Sequence, residues 1–227
     1  MQIIEIYKSL QGESSYAGLP CVFVRTAGCN LRCVWCDSEY TFKGGKRMTL
    51  DEVGREVQSL SPDGGLVEIT GGEPMLQENE VVALMQRLLA AGYTVLLETS
   101  GERLLNQVPR QVVKIVDIKC PHSGEGGTFR IENLQHLVPH DEAKFVVASR
   151  TDYEFAREFI REHELNGKVG SVILSPAFRK DATGSRDVSH CLVDPRDLAE
   201  WILADGLKAR LGLQIHKFIW EPSMKGV

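Results

Sequence analysis

The stretch Cys21-Val-Phe-Val-Arg-Thr-Ala-Gly-Cys-Asn-Leu-Arg-Cys-Val-Trp-Cys36 joins a short apolar run, typical of a buried β-strand, to three closely spaced cysteines. Cys29, Cys33 and Cys36 follow a C-x3-C-x2-C pattern. This spacing can supply three thiolates to one cubic iron-sulfur cluster and leave the fourth iron without a protein ligand. The stretch therefore predicts an open cluster that directly follows a strand.

A zinc site and a redox dithiol also stay open for these cysteines on spacing alone. A zinc site usually has four protein ligands, or three and a water, and zinc ribbons use paired C-x2-C motifs instead. Cys33 and Cys36 could form a redox dithiol, which would leave Cys29 without a role. The remaining cysteines, at positions 21, 120 and 191, are expected to behave as small buried residues.

The composition indicates an ordinary globular protein. The chain has 227 residues, of which 43% are hydrophobic, and no Pro/Gly/Ser-rich linker divides it, so we expect a single domain over residues 1–227. A formal charge of −5 argues against a broad nucleic-acid surface. The amino terminus lacks a signal-peptide pattern, and no segment approaches the ~20 apolar residues of a membrane span. We therefore expect a soluble, cytoplasmic protein.

Short apolar runs rich in β-branched residues alternate with helical patterns along the chain. The runs predict strands at residues 21–25, 66–70, 94–98, 113–118, 143–148 and 172–174. Capping boxes predict helix starts at Thr49 and Thr151, Asn79 and Asp194 are further candidate caps, and 131–137 is a weaker helix candidate. This alternation predicts an α/β fold with a parallel sheet, a partial (β/α)6 TIM-like barrel, and a short carboxyl-terminal strand that contains His216.

Polar clusters follow five of the predicted strands. They are Arg25 to Gly28, Thr70-Gly-Gly-Glu-Pro74, Glu98-Thr-Ser-Gly101, Asp117-Ile-Lys119 and Ser175-Pro176. Because the carboxyl ends of parallel strands share one edge of a sheet, these clusters should surround one crevice. Turn chemistry alone explains part of the pattern, but the two adjacent glycines would also allow a close backbone approach to a ligand.

The cysteine motif, the aromatic Trp35 before its last cysteine and Gly71-Gly-Glu-Pro74 resemble the radical S-adenosylmethionine (radical SAM) superfamily. The resemblance implies a radical SAM core over about residues 21–176. It also implies a [4Fe-4S] cluster whose open iron chelates SAM, and a one-electron cleavage of SAM to methionine and a 5′-deoxyadenosyl radical.

Three further motifs narrow the resemblance. Ser9-Leu-Gln-Gly-Glu13, Cys36-Asp-Ser38 and Gln214-Ile-His-Lys217 are similar to the 7-carboxy-7-deazaguanine synthase family. That family implies a lyase-type ring contraction of 6-carboxy-5,6,7,8-tetrahydropterin to 7-carboxy-7-deazaguanine, with release of ammonia. The reaction belongs to the biosynthesis of queuosine, a tRNA modification, and other 7-deazapurines.

The resemblance also implies roles for individual residues. The cluster ligands are Cys29, Cys33 and Cys36, and Ser38 is the candidate Mg²⁺ ligand. The cofactor-binding candidates are Trp35, Asp37, Gly71, Gly72, Glu73, Ser100, Lys119 and Ser175. The substrate-binding candidates are Leu10, Gln11, Gly12, Glu13, Arg25, Thr70 and His216, with residues 190–227 as a substrate-pocket extension. The family further implies a homodimer, a flavodoxin or ferredoxin reductant, and no direct contact with nucleic acid or membrane.

Two different functions stay compatible with the sequence. An activase for a glycyl-radical enzyme would share the cysteines and the glycine motif, but it would not need Gln11, Glu13, Arg25 and His216 in one pocket. A module that only holds a cluster or zinc is the non-catalytic alternative. The polar segment 177–190 could be a lid, a docking patch or a solvated loop, and the tail 218–227 could close the pocket.

Overall fold

One open sheet organises the computed structural model, which describes residues 1–180, 182–184 and 186–227. Its nine strands have the order β3-β1-β2-β4-β5-β6-β7-β8-β9. Strands β2 and β4 to β9 run parallel, whereas β1 is antiparallel to both of its neighbours, β2 and the edge strand β3. The strands are β1 (Gln2–Leu10), β2 (Pro20–Thr26), β3 (Lys46–Arg47), β4 (Leu66–Gly71), β5 (Thr94–Thr99), β6 (Val113–Asp117), β7 (Glu142–Val147), β8 (Ser171–Pro176) and β9 (Arg210–Leu211).

The sheet confirms the predicted α/β class and partial barrel. All six predicted strands are present, as β2 and β4 to β8, and they lie side by side in sequence order. Strand β1 was not predicted, because its Gln-Ile-Ile-Glu-Ile-Tyr pattern does not alternate cleanly between polar and apolar residues. It pairs with β2 and extends the sheet beyond the barrel core.

The helices are α1 (Leu50–Leu60), α2 (Glu78–Ala90), α3 (Arg150–Glu162), α4 (Pro195–Ala204) and α5 (His216–Ile219). The capping box at Thr49 is confirmed, since the Thr49 side chain accepts from the Glu52 amide while Glu52 accepts from the Thr49 amide. The predicted box at Thr151 is wrong: α3 is capped by Ser149, whose hydroxyl accepts from the Asp152 amide at 3.1 Å. Asn79 is not a cap either, because α2 begins at Glu78, directly after a 3-10 helix.

The barrel is less regular than predicted in two connections. Neither the β5–β6 nor the β6–β7 connection contains an α-helix, and the helix expected at 131–137 is a 3-10 helix over Ile131–Gln135. His216 begins α5 instead of lying in a strand, and the short carboxyl-terminal strand is β9. The prediction of such a strand is therefore confirmed, but its place in the sequence was wrong.

The two faces of the sheet differ in chemistry. Apolar side chains of one face pack under the helices and form the main core. The other face carries a smaller apolar cluster, which includes Cys21, Phe23, Leu66, Leu96, Val113 and Ile115, and polar side chains nearer the carboxyl ends of the strands. Within the described residues, no helix is both long and apolar enough to cross a membrane.

Candidate active site

A cavity of about 240 Å³ opens at the carboxyl ends of the parallel strands and extends along the inner face of the sheet. All of the predicted site residues except Ser175 line it. Ser175 is buried in β8, and its hydroxyl would lie 2.8 Å from a Cβ placed on Gly212. The structure therefore brings the predicted cluster, cofactor and substrate residues together, whereas Ser175 does not line the cavity.

The cysteine loop connects β2 to a 3-10 helix over Glu39–Thr41. Its three thiols all line the cavity. Burial raises the pKa of each thiol, and each also feels the charge of a neighbouring thiol of the trio. Yet in the described part of the chain no three His, Cys, Asp or Glu side chains are grouped to hold a single metal ion. Three thiols around one opening suit a multi-iron cluster, because each thiolate can bind its own iron.

Gly71 and Gly72 are required by close contacts with the end of β2 and with the start of the cysteine loop, respectively. Gly71 has φ +152°, and a Cβ there would lie 2.4 Å from Oγ1 of Thr26. A Cβ at Gly72 would lie 2.3 Å from the carbonyl oxygen of Gly28 and 2.6 Å from Cβ of Cys29. We predicted close approach to a ligand; the structure shows that the glycines first allow two loops to touch.

Glu73 joins this glycine motif to the end of β5. Its Oε1 accepts from the Met75 amide at 3.0 Å and from the Thr99 hydroxyl at 2.7 Å. Its Oε2 accepts from the amide and the hydroxyl of Ser100, at 2.9 and 2.7 Å. Both carboxylate oxygens are thus occupied by protein groups. Glu73 and Ser100, which were predicted to bind cofactor, hold each other in place at the cavity wall.

Lys144 is the centre of a charged cluster that was not predicted from the sequence. Its ammonium pairs with Glu13 at 2.7 Å, with Glu98, and more distantly with Asp117 at 3.7 Å. Burial would lower the pKa of Lys144, but the three carboxylates raise it well above its usual value. Lys119 pairs with Asp117 at 2.7 Å. Oδ1 of Asp117 is buried and accepts no hydrogen bond from a described residue.

The predicted substrate segment lies at the inner end of the cavity. Gln11 donates to Glu68, and burial together with Glu98 and Glu13 raises the pKa of Glu68. Burial would also raise the pKa of Glu13, but the Lys144 ammonium lowers it to about 2, with a smaller contribution from His216 in its protonated form. Glu68 therefore accepts a proton more readily than an ordinary glutamate, while Glu13 stays ionised.

The carboxyl-terminal segment packs directly against that substrate segment. The Ile215 amide donates to the Gly12 carbonyl at 2.9 Å, and Gln214 Nε2 donates to Glu13 at 2.8 Å. A Cβ on Gly12 would lie 2.0 Å from Nδ1 of His216, so only glycine allows this packing. Burial lowers the pKa of His216, which keeps the imidazole neutral at pH 7. His216 thus reaches the cavity as predicted, although from a helix.

Arg25 is held from behind by β1 and the cysteine loop. Its Nε donates to Glu5 at 2.9 Å, and its Nη2 donates to the Tyr7 hydroxyl at 2.9 Å. The Tyr40 hydroxyl donates to the same oxygen of Glu5 at 2.7 Å. These bonds use one edge of the guanidinium, and its remaining N–H groups are available to a ligand in the cavity that Arg25 lines.

The cysteine loop ends in a second network. Oδ2 of Asp37 lies 2.6 Å from Nζ of Lys217, and Oδ1 accepts from the Ser38 hydroxyl at 2.8 Å. Residues 222–227 also line the cavity, and Nζ of Lys225 lies 4.2 Å from the centre of the Tyr40 ring. The end of the tail therefore lies at the pocket.

The segment 177–190 contributes less to the cavity. Phe178 lines it, and Lys180 pairs with Glu39 at 2.5 Å. Positions 181 and 185, which belong to the predicted polar loop, lie outside the described residues.

Several lining residues had no predicted role. They are Tyr7, Tyr40, Glu68, Glu98, Asp117, Lys144, Gln214 and Lys217. A signal existed for some of them, since charged residues inside strand patterns are unusual and Lys144, Glu68 and Asp117 all interrupt apolar runs. Tyr7 and Tyr40 had no such signal, because aromatic residues are common in strands and loops.

Comparison with known proteins identifies the family. A family model described as the Radical SAM superfamily matches residues 23–122. The 7-carboxy-7-deazaguanine synthase of Koribacter versatilis is 71% identical over 227 residues, which cover all of both chains. The enzyme of the same name from Chlorobaculum tepidum is 41% identical and matches all of this chain and 97% of its own.

Solved structures share the fold. QueE from Escherichia coli superposes with a TM-score of 0.72 at 21% identity, over 93% of this chain and 92% of that one. Streptococcus suis SuiB bound to S-adenosylmethionine superposes with a TM-score of 0.57 at 14% identity, over 82% of this chain and 44% of its own. The full-length sequence matches, together with three thiols that face a single cavity, lead to one conclusion: this chain belongs to the 7-carboxy-7-deazaguanine synthase family of radical SAM enzymes.

Proposed function

We propose that the chain converts 6-carboxy-5,6,7,8-tetrahydropterin to 7-carboxy-7-deazaguanine and releases ammonia. The observation that supports this most directly is that one cavity is lined both by the three cysteines and by Gln11, Gly12, Glu13, Arg25, Thr70 and His216. Neither a zinc module nor an activase needs these substrate residues beside the cysteines. The arrangement therefore favours a small-molecule radical enzyme.

Cys29, Cys33 and Cys36 would hold the [4Fe-4S] cluster. When bound, the cluster and SAM supply a one-electron cleavage that creates a radical able to abstract hydrogen from a substrate. Trp35, Gly71, Gly72 and Lys119 would form the SAM side of the cavity. Glu73 and Ser100 would act from behind, by fixing the glycine motif.

The inner residues would orient the pterin. The carboxylates of Glu13 and Glu98 can accept hydrogen bonds from a guanidine-like edge. Arg25 would meet the substrate carboxylate with its remaining N–H groups, as a bidentate fork. Thr70 would add a hydroxyl, His216 a neutral imidazole, and Leu10 an apolar contact. The tail 222–227 would exclude water from the reacting atoms.

Ser38 would supply the protein ligand of Mg²⁺. Its hydrogen goes to Asp37, which leaves oxygen lone pairs for a cation. Mg²⁺ often takes one or two protein oxygens and completes its shell with substrate and water, so one hydroxyl beside a carboxylated substrate suits it. A flavodoxin or ferredoxin would provide the electron, and a homodimer would be the working assembly.

The test is anaerobic SAM cleavage with a chemical reductant, measured as 5′-deoxyadenosine and 7-carboxy-7-deazaguanine. We expect brown protein with about four irons per chain, and cleavage that rises sharply on addition of the carboxylated pterin. Cys33→Ala should abolish the colour and the activity, while Arg25→Ala should keep the colour and weaken pterin binding by about 1.5 to 3 kcal/mol. Deoxyadenosine that appears only with a protein partner would support the activase instead, and colourless zinc protein would exclude radical chemistry.

A further inference from the structure

Lys217 is a buried lysine at the cavity for which the proposed function gives no role. Only 5% of the residue is exposed. Its ammonium lies 2.6 Å from Oδ2 of Asp37 and 5.0 Å from the centre of the Phe178 ring. It therefore joins α5 to the residue that immediately follows the last cluster cysteine.

The contact to Asp37 orients Ser38. Because Lys217 holds Oδ2, the other oxygen of Asp37 is free to accept the Ser38 hydroxyl hydrogen at 2.8 Å. The Ser38 carbonyl is fixed as well, since it accepts from the amide and the hydroxyl of Thr41 at 2.9 and 2.7 Å. With its hydrogen directed to Asp37, the Ser38 oxygen presents only lone pairs to a further partner.

We propose that Lys217 is a positioning residue for the magnesium site: through Asp37 it sets the Ser38 hydroxyl so that Mg²⁺ binds there together with the substrate. The inference rests on the proposed function and adds the residue that orients its metal ligand. Groups behind a ligand commonly control its direction and its affinity for a metal.

Charge gives Lys217 a second effect on the same site. Paired with Lys217, Asp37 is neutralised, and the protein offers the metal one uncharged oxygen. The anionic ligand that Mg²⁺ needs must then come from the substrate carboxylate, so metal and substrate should bind together.

The same segment carries the substrate contacts. Two residues before Lys217, the Ile215 amide holds the Gly12 carbonyl, and Gln214 holds Glu13. Segment 214–217 thus links the substrate end of the cavity to the exit of the cysteine loop. A displacement of either end of this segment would therefore change the position of the Ser38 hydroxyl.

The test measures pterin binding to cluster-loaded enzyme with SAM and without reductant, across a Mg²⁺ titration. In Lys217→Met, the Mg²⁺ concentration that gives half of the affinity gain should rise about tenfold or more. Lys180→Met is the matched control, because Lys180 pairs with Glu39 in the same stretch but is 51% exposed. It should leave the Mg²⁺ midpoint within about twofold of wild type.

The outcomes separate this inference from the function on which it rests. If the wild type does not bind the pterin, the proposed function is wrong. If its pterin affinity does not depend on Mg²⁺, the assignment of Ser38 is wrong. Either result also contradicts the role of Lys217. A wild type with a Mg²⁺ effect and an unchanged midpoint in Lys217→Met overturns the inference alone. Equal weakening at every Mg²⁺ concentration would mark a merely structural role and also overturn it.

A second variant covers the case in which Lys217→Met does not fold or load iron. Asp37→Asn keeps the shape of a side chain that is 45% exposed, but its single oxygen cannot serve both Lys217 and Ser38. We expect the same rise in the Mg²⁺ midpoint with unchanged iron content. An unchanged midpoint in this variant would contradict the proposal as well.

Discussion

Lys114 and Lys144 are both almost completely buried on adjacent strands, β6 and β7, but they face opposite sides of the sheet. Lys114 points under the helices and pairs with Asp141 at 2.9 Å. Asp141 also accepts from the amides of Lys114 and Val138, at 2.8 and 2.7 Å. Both charged groups of this pair have a partner, and the two charges cancel.

Lys144 faces the cavity and is shared by three carboxylates. Glu13, Glu98 and Asp117 arrive from three different parts of the chain and leave an excess of negative charge. We call the Lys114–Asp141 pair closed, because its charges cancel and its groups bond only to the protein; such a pair stabilises an arrangement of strands. We call the Lys144 cluster open, because it lies at a cavity and carries excess negative charge, so it can still bind a ligand. The difference lies in the number of partners and their surroundings, because the burial of the two lysines is nearly the same.

The largest effect should follow from removal of the charge at Asp141. Asp141→Asn leaves Lys114 charged in a dry interior and turns an amide donor toward a backbone N–H. We expect a loss of about 3–5 kcal/mol in the free energy of unfolding, because a buried ion with no partner is strongly unfavourable. Urea denaturation measures it.

Glu98→Gln is the matched control in the cavity. It removes a like charge beside Glu13, and water can reach the site, so it should change stability by less than about 1 kcal/mol. If the two substitutions cost the same, the distinction between a closed and an open ion pair would be lost.

The next largest effect should be catalytic. Lys144→Met removes the ammonium that fixes Glu13 and Glu98, and the carboxylates should then repel one another and take up protons. We expect kcat/KM for the pterin to fall about 100-fold, as expected for misplaced substrate contacts. The loss of stability should be smaller than for Asp141→Asn. Steady-state product formation gives the first quantity, and urea denaturation the second.

Lys114→Met supplies the opposite result in the same assays. It should lower stability and leave the kcat/KM of the folded protein within about twofold of wild type, since Lys114 does not reach the cavity. A loss of activity similar to that of Lys144→Met would mean that the two faces of the sheet are coupled.

The sequence was sufficient to predict the strands of the sheet, but not which side chains lie on each of its two faces. Strands buried on both sides appear as nearly continuous apolar runs, so their residues could be assigned to β6 and β7 without knowing which way Lys114 or Lys144 points. The cysteine loop and the glycine motif were predictable because their spacing is local. Lys144 meets Glu13 across 131 positions of sequence, and such a contact has no local signal.

The absence of a local signal for long-range contacts also explains the wrong predictions for single residues. Gly72 was correctly placed at the cavity, but the loop that requires it to be glycine is set by β2 and could only be seen in three dimensions. The cap of α3 was predicted two residues too late in the sequence. Ser149 and Thr151 are both suitable cap residues, and the position at which β7 ends determines which of them is used. His216 was predicted to lie in a strand, but it begins α5.

The smallest predicted effect concerns pH and Glu13. Its pKa is about 2 in the folded protein against 4.5 in an unfolded chain, so ionised Glu13 favours folding above the unfolded value. This contribution is lost as pH falls toward the folded pKa. The difference in unfolding free energy between wild type and Glu13→Gln should therefore be flat above about pH 5.5 and shrink by about 1 kcal/mol at pH 4. Denaturation of both proteins across that range cancels the titration of other groups. A difference that grows on acidification would mean that Glu13 is not held ionised by Lys144, and the open ion pair would have to be centred on another carboxylate.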